Sequence, residues 1–219
     1  MHPCPALVMM ARLPAAGRVK TRLCPPLTPA QAATLYAAFL RDLVELLRAV
    51  PGVHPIIAYA PDEAADYFAA LAPDMARLPQ TGADLGERLA TVTGAVLGEG
   101  APAVVVIGSD SPSLPPAHIA QALAALEHGV DLVLGPADDG GYYLVGLRRP
   151  APELFTNVTM STSTVLGDTL AIAEQLGLRT VLIDPWYDID TIADLVRLQT
   201  DPAPLRHTRP LLAELLADH

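Results

Sequence analysis

Residues Ala103 to Ile107 read AVVVI and run directly into Gly108-Ser109-Asp110-Ser111-Pro112. A short, unbroken β-branched run has no polar face to turn toward water. It therefore reads as a strand covered on both sides, the kind found at the centre of a parallel sheet. Gly108 and Pro112 stop the run, which puts Asp110 at the strand's C-terminal end, and open α/β sheets bind their ligands along that edge. Two readings of Asp110 follow: a cap on the succeeding turn, or a carboxylate facing a ligand.

Other runs repeat the pattern. Ala6 to Met10 (ALVMM), Val53 to Ala60, Val130 to Leu134 and Thr180 to Ile183 read as further short strands, with Pro55 implying an edge strand or a start at Ile56. Helical stretches lie between them. Thr28-Pro29-Ala30-Gln31 is a capping box that opens a helix to about Ala49, closed by Pro51-Gly52. Pro61 to Leu71, Asp84 to Leu97, Pro115 or Pro116 to Glu127, a stretch ending at Leu176-Gly177, and Thr191 or Ile192 to Gln199 read likewise. Asp139-Gly140-Gly141 before Tyr142 to Leu147 signals a tight turn and one antiparallel strand. The alternation predicts a three-layer α/β fold, a mostly parallel Rossmann-like sheet with helices on both faces. At 219 residues, 51% of them hydrophobic, one domain over 1–200 can bury a full core, with 201–219 a linker and a helical tail packed on it.

The formal net charge of −10 excludes a broad nucleic-acid or anionic-membrane surface. Leu23 to Leu40 carries no charge for 18 residues, yet Pro25, Pro26, Pro29, Thr28 and Gln31 rule out a membrane span. No cationic region precedes the first apolar run, so no export signal is expected, and Cys4 and Cys24 fit no disulfide framework or metal spacing. Both point to a cytoplasmic setting. Against that acidic background, Arg12, Arg18, Lys20 and Arg22 crowd one segment around Pro14 and Gly17. Lys20 is the chain's single lysine beside 13 arginines. The segment reads as a solvated basic loop, or as a phosphate cradle in which a compact ammonium is wanted.

Two more glycine-bearing segments invite a ligand. Gly82 and Gly86, within TGADLGERL, permit close approach to a nucleotide, although a plain loop with Asp84 as helix N-cap reads equally well. Asp138, Asp139, Gly140 and Gly141 form a turn that is a simple hairpin or faces the site. Among the four hydroxyls of Ser161 to Thr164, one is expected as the N-cap of the following helix, and Ser161 and Thr162 could hold an acceptor. Asp188 and Asp190 alternate on an extended stretch and are read as pointing to opposite sides, one to the site and one to the helix start. If the strands are parallel, Asp110, Asp188 or Asp190 and the basic loop gather on one edge. Two carboxylates and a basic loop suit a metal–phosphate ligand, with Mg²⁺ (or Mn²⁺) on the oxygens and cations on the phosphates.

RLPAAGRVKTRL, DLGERL, GSDSP, GPADDGGYYLVGL, STSTVL and DIDTIADL, in that order, resemble a bacterial family of the GT-A, nucleotide-diphospho-sugar transferase superfamily, often labelled arsenosugar-biosynthesis glycosyltransferases. The resemblance spans Leu7 to about Leu198. More distantly, VKTRL is similar to the phosphate loop of 2-phospholactate guanylyltransferases. SDSP and DIDT are similar to the metal-binding aspartates of molybdenum-cofactor nucleotidyltransferases and CMP-sugar synthetases. The resemblance implies a GT-A fold, a nucleotide over the N-terminal half and Mg²⁺ near Asp110 and Asp190. Two departures are visible: Ala15-Ala16-Gly17 replaces a fuller Gly-rich loop, and Ser109 and Pro112 flank Asp110 where a plain Asp-x-Asp would stand. The expected activity is glycosyl transfer from a nucleotide sugar to a small acceptor. Nucleotidyl transfer from an NTP, which the dense basic loop favours, and a non-catalytic nucleotide-binding protein are the alternatives. In the catalytic reading Lys20 and Arg22 neutralise phosphate, Asp110 holds metal and Asp138 or Asp139 takes the acceptor's proton.

Overall fold

A computed structural model describes residues 4–217; residues 1–3 and 218–219, the extremes of the expected domain and tail, lie outside them. Seven strands form one sheet: β1 (Ala6–Arg12), β2 (His54–Ala60), β3 (Ala76–Pro79), β4 (Val104–Ile107), β5 (Leu132–Pro136), β6 (Tyr142–Leu147) and β7 (Thr180–Leu182). Their order is β3-β2-β1-β4-β6-β5-β7, parallel except for β6, which runs antiparallel to both β4 and β5.

The period of two along each strand divides the core. In β1, Leu7, Met9 and Ala11 enter one apolar layer while Ala6, Val8 and Met10 enter the other. The first layer is covered by α1 (Pro29–Ala49), α2 (Ala65–Leu71) and α4 (Pro116–Glu127), with α7 (Ile192–Thr200) and α8 (Thr208–Ala217) beside them. The second is covered by α3 (Leu85–Gly98), α5 (Glu153–Thr156) and α6 (Val165–Gln175). All four β4 residues are buried, as a strand enclosed on both faces requires. The three-layer expectation holds, and among the described residues no helix is long and apolar enough to cross a membrane.

Local chemistry explains most helix boundaries. Thr28 and Gln31 close the capping box of α1, and Thr191 with Asp194 forms a second box at α7. Three features depart from expectation. The edge strand β3 was not anticipated, because its four residues alternate only between partly buried and exposed. Pro55 is not on an edge strand: β2 lies between β1 and β3, and Pro55 pairs with Leu7 one residue before β3 begins to pair at Ile56, where no second neighbour needs its missing N–H. Thr164 occupies the N-cap of α6 without capping it, since its hydroxyl bonds Thr162 and Asp168 side chains instead of a backbone N–H.

Candidate active site

The carboxyl ends of β1 and β4 are neighbours, Met9 pairing with Ile107, so the loops after both strands open on one edge. The loop after β1 is pinned at its root: the Arg12 N–H donates to the Tyr36 hydroxyl at 3.1 Å, and that oxygen lies 2.7 Å from Ser109 Oγ. Tyr36 is buried on α1, and burial foremost, then the Asp110 charge, holds its hydroxyl well above the usual phenol range, so it stays protonated. Further along, Val19 and Leu23 sink into the core on either side of Lys20. Lys20 itself adopts a left-handed backbone, φ 48° and ψ 37°. Its side chain is only 4% exposed and meets Asp110 directly. The ammonium also donates to the Ile189 carbonyl at 2.6 Å and lies 3.4 Å from Asp190 Oδ1.

The segment carrying Asp188 and Asp190 reaches this edge because the chain continues past β7 over the top of the sheet. Ala137 bridges to Trp186, and the Ile189 N–H donates to the Asp110 carbonyl at 2.9 Å. Ile189 is fully buried, which turns both flanking aspartates outward into the same cavity. The expectation that they face opposite sides is therefore corrected. Residues two apart on extended backbone share a face, and the helix start is capped by Thr191. Asp190 Oδ2 accepts Arg22 Nη1 at 3.1 Å. Asp188 accepts the Ser111 hydroxyl, and burial pushes its carboxyl up to about 6.

Together these loops enclose a cavity of about 700 Å³ lined by Arg12, Lys20, Arg22, Asp110, Asp188 and Asp190 on one side and by Asp139, Gly141, Ser161 and Thr162 on the other. Asp139 Oδ1 accepts the Gly141 N–H at 2.9 Å, leaving its second oxygen without a partner among the described residues. Asp138 turns away and pairs with Arg197 at 2.7 Å. Ser161, φ 64°, is with Lys20 one of two non-glycine residues of positive φ among those described, and both sit on the cavity wall. Strained backbone of this kind persists where surrounding structure enforces it.

Four of the glycines singled out from the sequence do not line the cavity. Gly17 is exposed at a positive-φ turn. The Gly82 carbonyl instead accepts Arg88 Nε at 3.0 Å. Gly86 lets α3 pack on α5, where an added Cβ would lie 2.4 Å from the Phe155 carbonyl, and one at Gly140 would lie 2.1 Å from that of Ser163. These two glycines permit close backbone packing that shapes the walls without touching the cavity. Asp84 does cap α3, accepting the Glu87 N–H at 2.9 Å.

Several lining residues escaped the sequence reading. Gln80 donates its amide to the carbonyls of Ala11 and Ala58 at 3.1 and 2.7 Å, tying the ends of β1 and β2 together beneath the cavity. Tyr36, Ser109 and Arg88 line it too, and Ser111 reaches it through Asp188. Their signal was slight: a tyrosine on the apolar face of α1, and small hydroxyls flanking Asp110. The charged lining comprises Arg12, Arg18, Lys20, Arg22 and Arg88 against Asp84, Asp110, Asp139, Asp188 and Asp190, so its formal charges cancel.

Hard oxygen donors of the kind Mg²⁺ and Mn²⁺ take are present in Asp110, Asp188, Asp190 and the Ile189 carbonyl, and in donor chemistry the site fits a divalent ion. Lys20 stands where two of those carboxylates and the carbonyl converge. A tighter cluster lies elsewhere: Asp42, Glu45 and His207 bring ligand atoms within 4.8 Å of one another. There, however, Asp42 accepts the backbone N–H groups of His207 and Thr208 at 3.0 and 2.9 Å, and Glu45 takes His207 Nε2. That carboxylate is the clasp of α8.

No curated protein matches the sequence. Among solved structures, a candidate nucleotide-diphospho-sugar transferase from Desulfovibrio desulfuricans G20 is 32% identical, superposes with a TM-score of 0.90, and the match covers 97% of this chain and 95% of that one. CMP:2-keto-3-deoxy-manno-octonic acid synthetase, solved with CTP, shares the fold at 15% identity and a TM-score of 0.57, covering 97% and 99% of the two chains. A Mycobacterium tuberculosis H37Rv protein solved in complex with manganese shares it at 20% identity and a TM-score of 0.50, covering 89% and 97%. Residues 43–162 match a family model described as "Uncharacterized protein conserved in bacteria", and the chain belongs to that family, DUF2064.

Proposed function

We propose that the chain is a divalent-metal-dependent transferase that takes a sugar from a nucleotide-diphospho-sugar and passes it to the hydroxyl of a small acceptor. The observation that carries this reading is the convergence of the three loops, fixed by the Ile189 N–H bond to Asp110, around a cavity whose own charges cancel. A nucleotide sugar carries about two negative charges, which one divalent cation balances; a triphosphate carries about four and would leave an excess. The basic loop alone favoured the triphosphate, but its cations face as many carboxylates. The 32% identical relative from Desulfovibrio supports the same reading.

In this reading the nucleotide lies over the β1 loop, with Arg12, Arg18 and Arg22 toward its phosphates, and Asp110 and Asp190 hold the metal while Asp188 stands beside them. When bound, the metal neutralises charge developing on the diphosphate as the bond from its oxygen to the sugar's anomeric carbon breaks. The acceptor sits between Asp139-Gly141 and Ser161-Thr162. Its hydroxyl oxygen forms the new bond to the anomeric carbon, and its proton passes to the free oxygen of Asp139. Catalysis rests on positioning and on charge neutralisation.

A panel of UDP-, GDP- and ADP-sugars and of NTPs, each with and without Mg²⁺ or Mn²⁺, tests this by thermal stabilisation and product analysis. The expected outcome is metal-dependent stabilisation by a nucleotide sugar and release of a nucleoside diphosphate. Release of pyrophosphate from an NTP would replace glycosyl with nucleotidyl transfer. Stabilisation without turnover for any acceptor tried would point to a binding protein.

A further inference from the structure

We infer that Lys20 is a built-in counter-cation that competes with the divalent metal for the same oxygens, so that metal binds well only together with a phosphate-bearing ligand. The inference rests on the metal-dependent reading above and adds what that reading leaves open, the order in which metal and nucleotide arrive.

Three observations support it. The Lys20 ammonium touches Asp110, donates to the Ile189 carbonyl at 2.6 Å, and reaches Asp190 at 3.4 Å. Its three N–H donors thus point at the hard oxygens that a divalent ion would use. Second, the position is enforced by the fold. Buried Val19 and Leu23 anchor both flanks, the Lys20 backbone is held in the left-handed region, and the side chain is 4% exposed, with the Phe39 ring 5.9 Å from Nζ. Burial is not general to this loop: Arg22 pairs with Asp190 too, yet its side chain is 71% exposed. Third, no three carboxylates of the cavity bring ligand atoms within the 4.8 Å that the Asp42 cluster achieves, among the described residues. Asp110 and Asp190 are spaced around an ammonium, and no third carboxylate among the described residues closes a ready-made metal cluster with them.

A divalent cation and an ammonium cannot share one set of oxygens without strong repulsion. Binding metal alone therefore requires the ammonium to leave three acceptors with nothing to receive it. When a diphosphate arrives with the metal, its oxygens supply that replacement partner. Lys20 then moves from carboxylate to phosphate as the metal takes its place, and the two ligands bind cooperatively. No covalent step is involved. The unusual use of lysine follows: a flexible ammonium can move between partners more readily than a planar guanidinium fixed in a two-point grip.

Mn²⁺ binding to the full chain without nucleotide, followed by electron paramagnetic resonance, tests the competition directly. Lys20→Met is expected to bind Mn²⁺ about tenfold more tightly than the parent protein, and to lose the further tightening that a nucleoside diphosphate gives the parent. Equal or weaker Mn²⁺ binding by Lys20→Met overturns the inference, as does absence of Mn²⁺ binding by both proteins. A second measurement keeps the native chain. Because Lys20 is the only lysine, ¹³Cε-lysine labelling yields one side-chain signal. With Mg²⁺ and ADP, UDP or GDP that signal is expected to shift and sharpen. A signal that stays unchanged while Mg²⁺ and the nucleotide are bound overturns the exchange of partners. If no nucleotide binds at all, the functional reading fails, while the Mn²⁺ comparison still decides the competition.

Discussion

Two clusters of carboxylates and nitrogen donors lie on the same chain, and only one of them opens into the cavity. At the carboxyl edge, Asp110 and Asp190 converge on a side-chain ammonium and Asp188 holds a hydroxyl. On α1, Asp42 is buried and both its oxygens accept backbone N–H groups at the start of α8, with Glu45 and His207 beside it. The second cluster is the more compact of the two, so compactness alone does not tell a ligand site from a helix clasp. What separates them is the partner. A backbone N–H can leave only by unfolding the helix, whereas an ammonium on a four-carbon stem can exchange one anion for another. The first cluster can bind and release; the second holds a helix.

The largest effect should come from breaking the clasp. Asp42→Ala strands two N–H groups, one of them buried, and should cost about 2–3 kcal/mol, lowering the thermal midpoint by roughly 5–10 °C in calorimetry. Its Mn²⁺ affinity should be unchanged; a loss would make the clasp a metal site and erase the contrast. Next, Asp110→Asn should lower metal–nucleotide affinity at least ~10-fold in titration calorimetry while costing about 1 kcal/mol of stability, since the buried Lys20 ammonium keeps the Ile189 carbonyl and Asp190 and the charge removed sits on a half-exposed side chain.

Smaller still is a pH effect that sharpens the account of Asp188. Burial raises its carboxyl from 3.8 to about 6 in the folded chain, so the folded state holds this proton more tightly than the unfolded one. Its stabilising contribution is complete below the unfolded value and is lost as pH rises through about 6. Relative to Asp188→Asn, the metal-free parent should therefore lose about 1–2 kcal/mol between about pH 4 and about pH 7, measured by urea unfolding. Least of all, Asp138→Ala removes an exposed pair with Arg197 and should shift stability by under about 0.5 kcal/mol without touching ligand binding. Asp139, one residue on, lines the cavity, so a binding loss at Asp138 would redraw that wall.

Much of this was legible residue by residue. The buried strand at Val104–Ile107, the capping box at Thr28, the antiparallel β6 and the helix closed by Gly177 follow from preferences that act over a few residues. Local preference also placed Asp110 at a strand end, while the pairing of that strand with the basic loop's strand came from the sheet order. Where local rules were silent or misapplied, the reading fell short. The weakly patterned β3 gives no local signal, and Asp188 and Asp190 share one side, as their spacing of two dictates, against the expectation of opposite sides. Gly86 and Gly140 looked like ligand contacts because sequence shows that a side chain is missing without showing whose backbone fills the space.

The amino-acid order by itself determined the layered α/β architecture and the presence of cations and carboxylates at strand ends, because apolar period, caps and turns are short-range. Only the tertiary structure decided that Lys20 meets Asp110 and Asp190, partners 90 and 170 residues away, while Asp42 is consumed by a helix start. An isolated charge has no role until the fold chooses what stands opposite it, and that choice depends on the packing of distant segments.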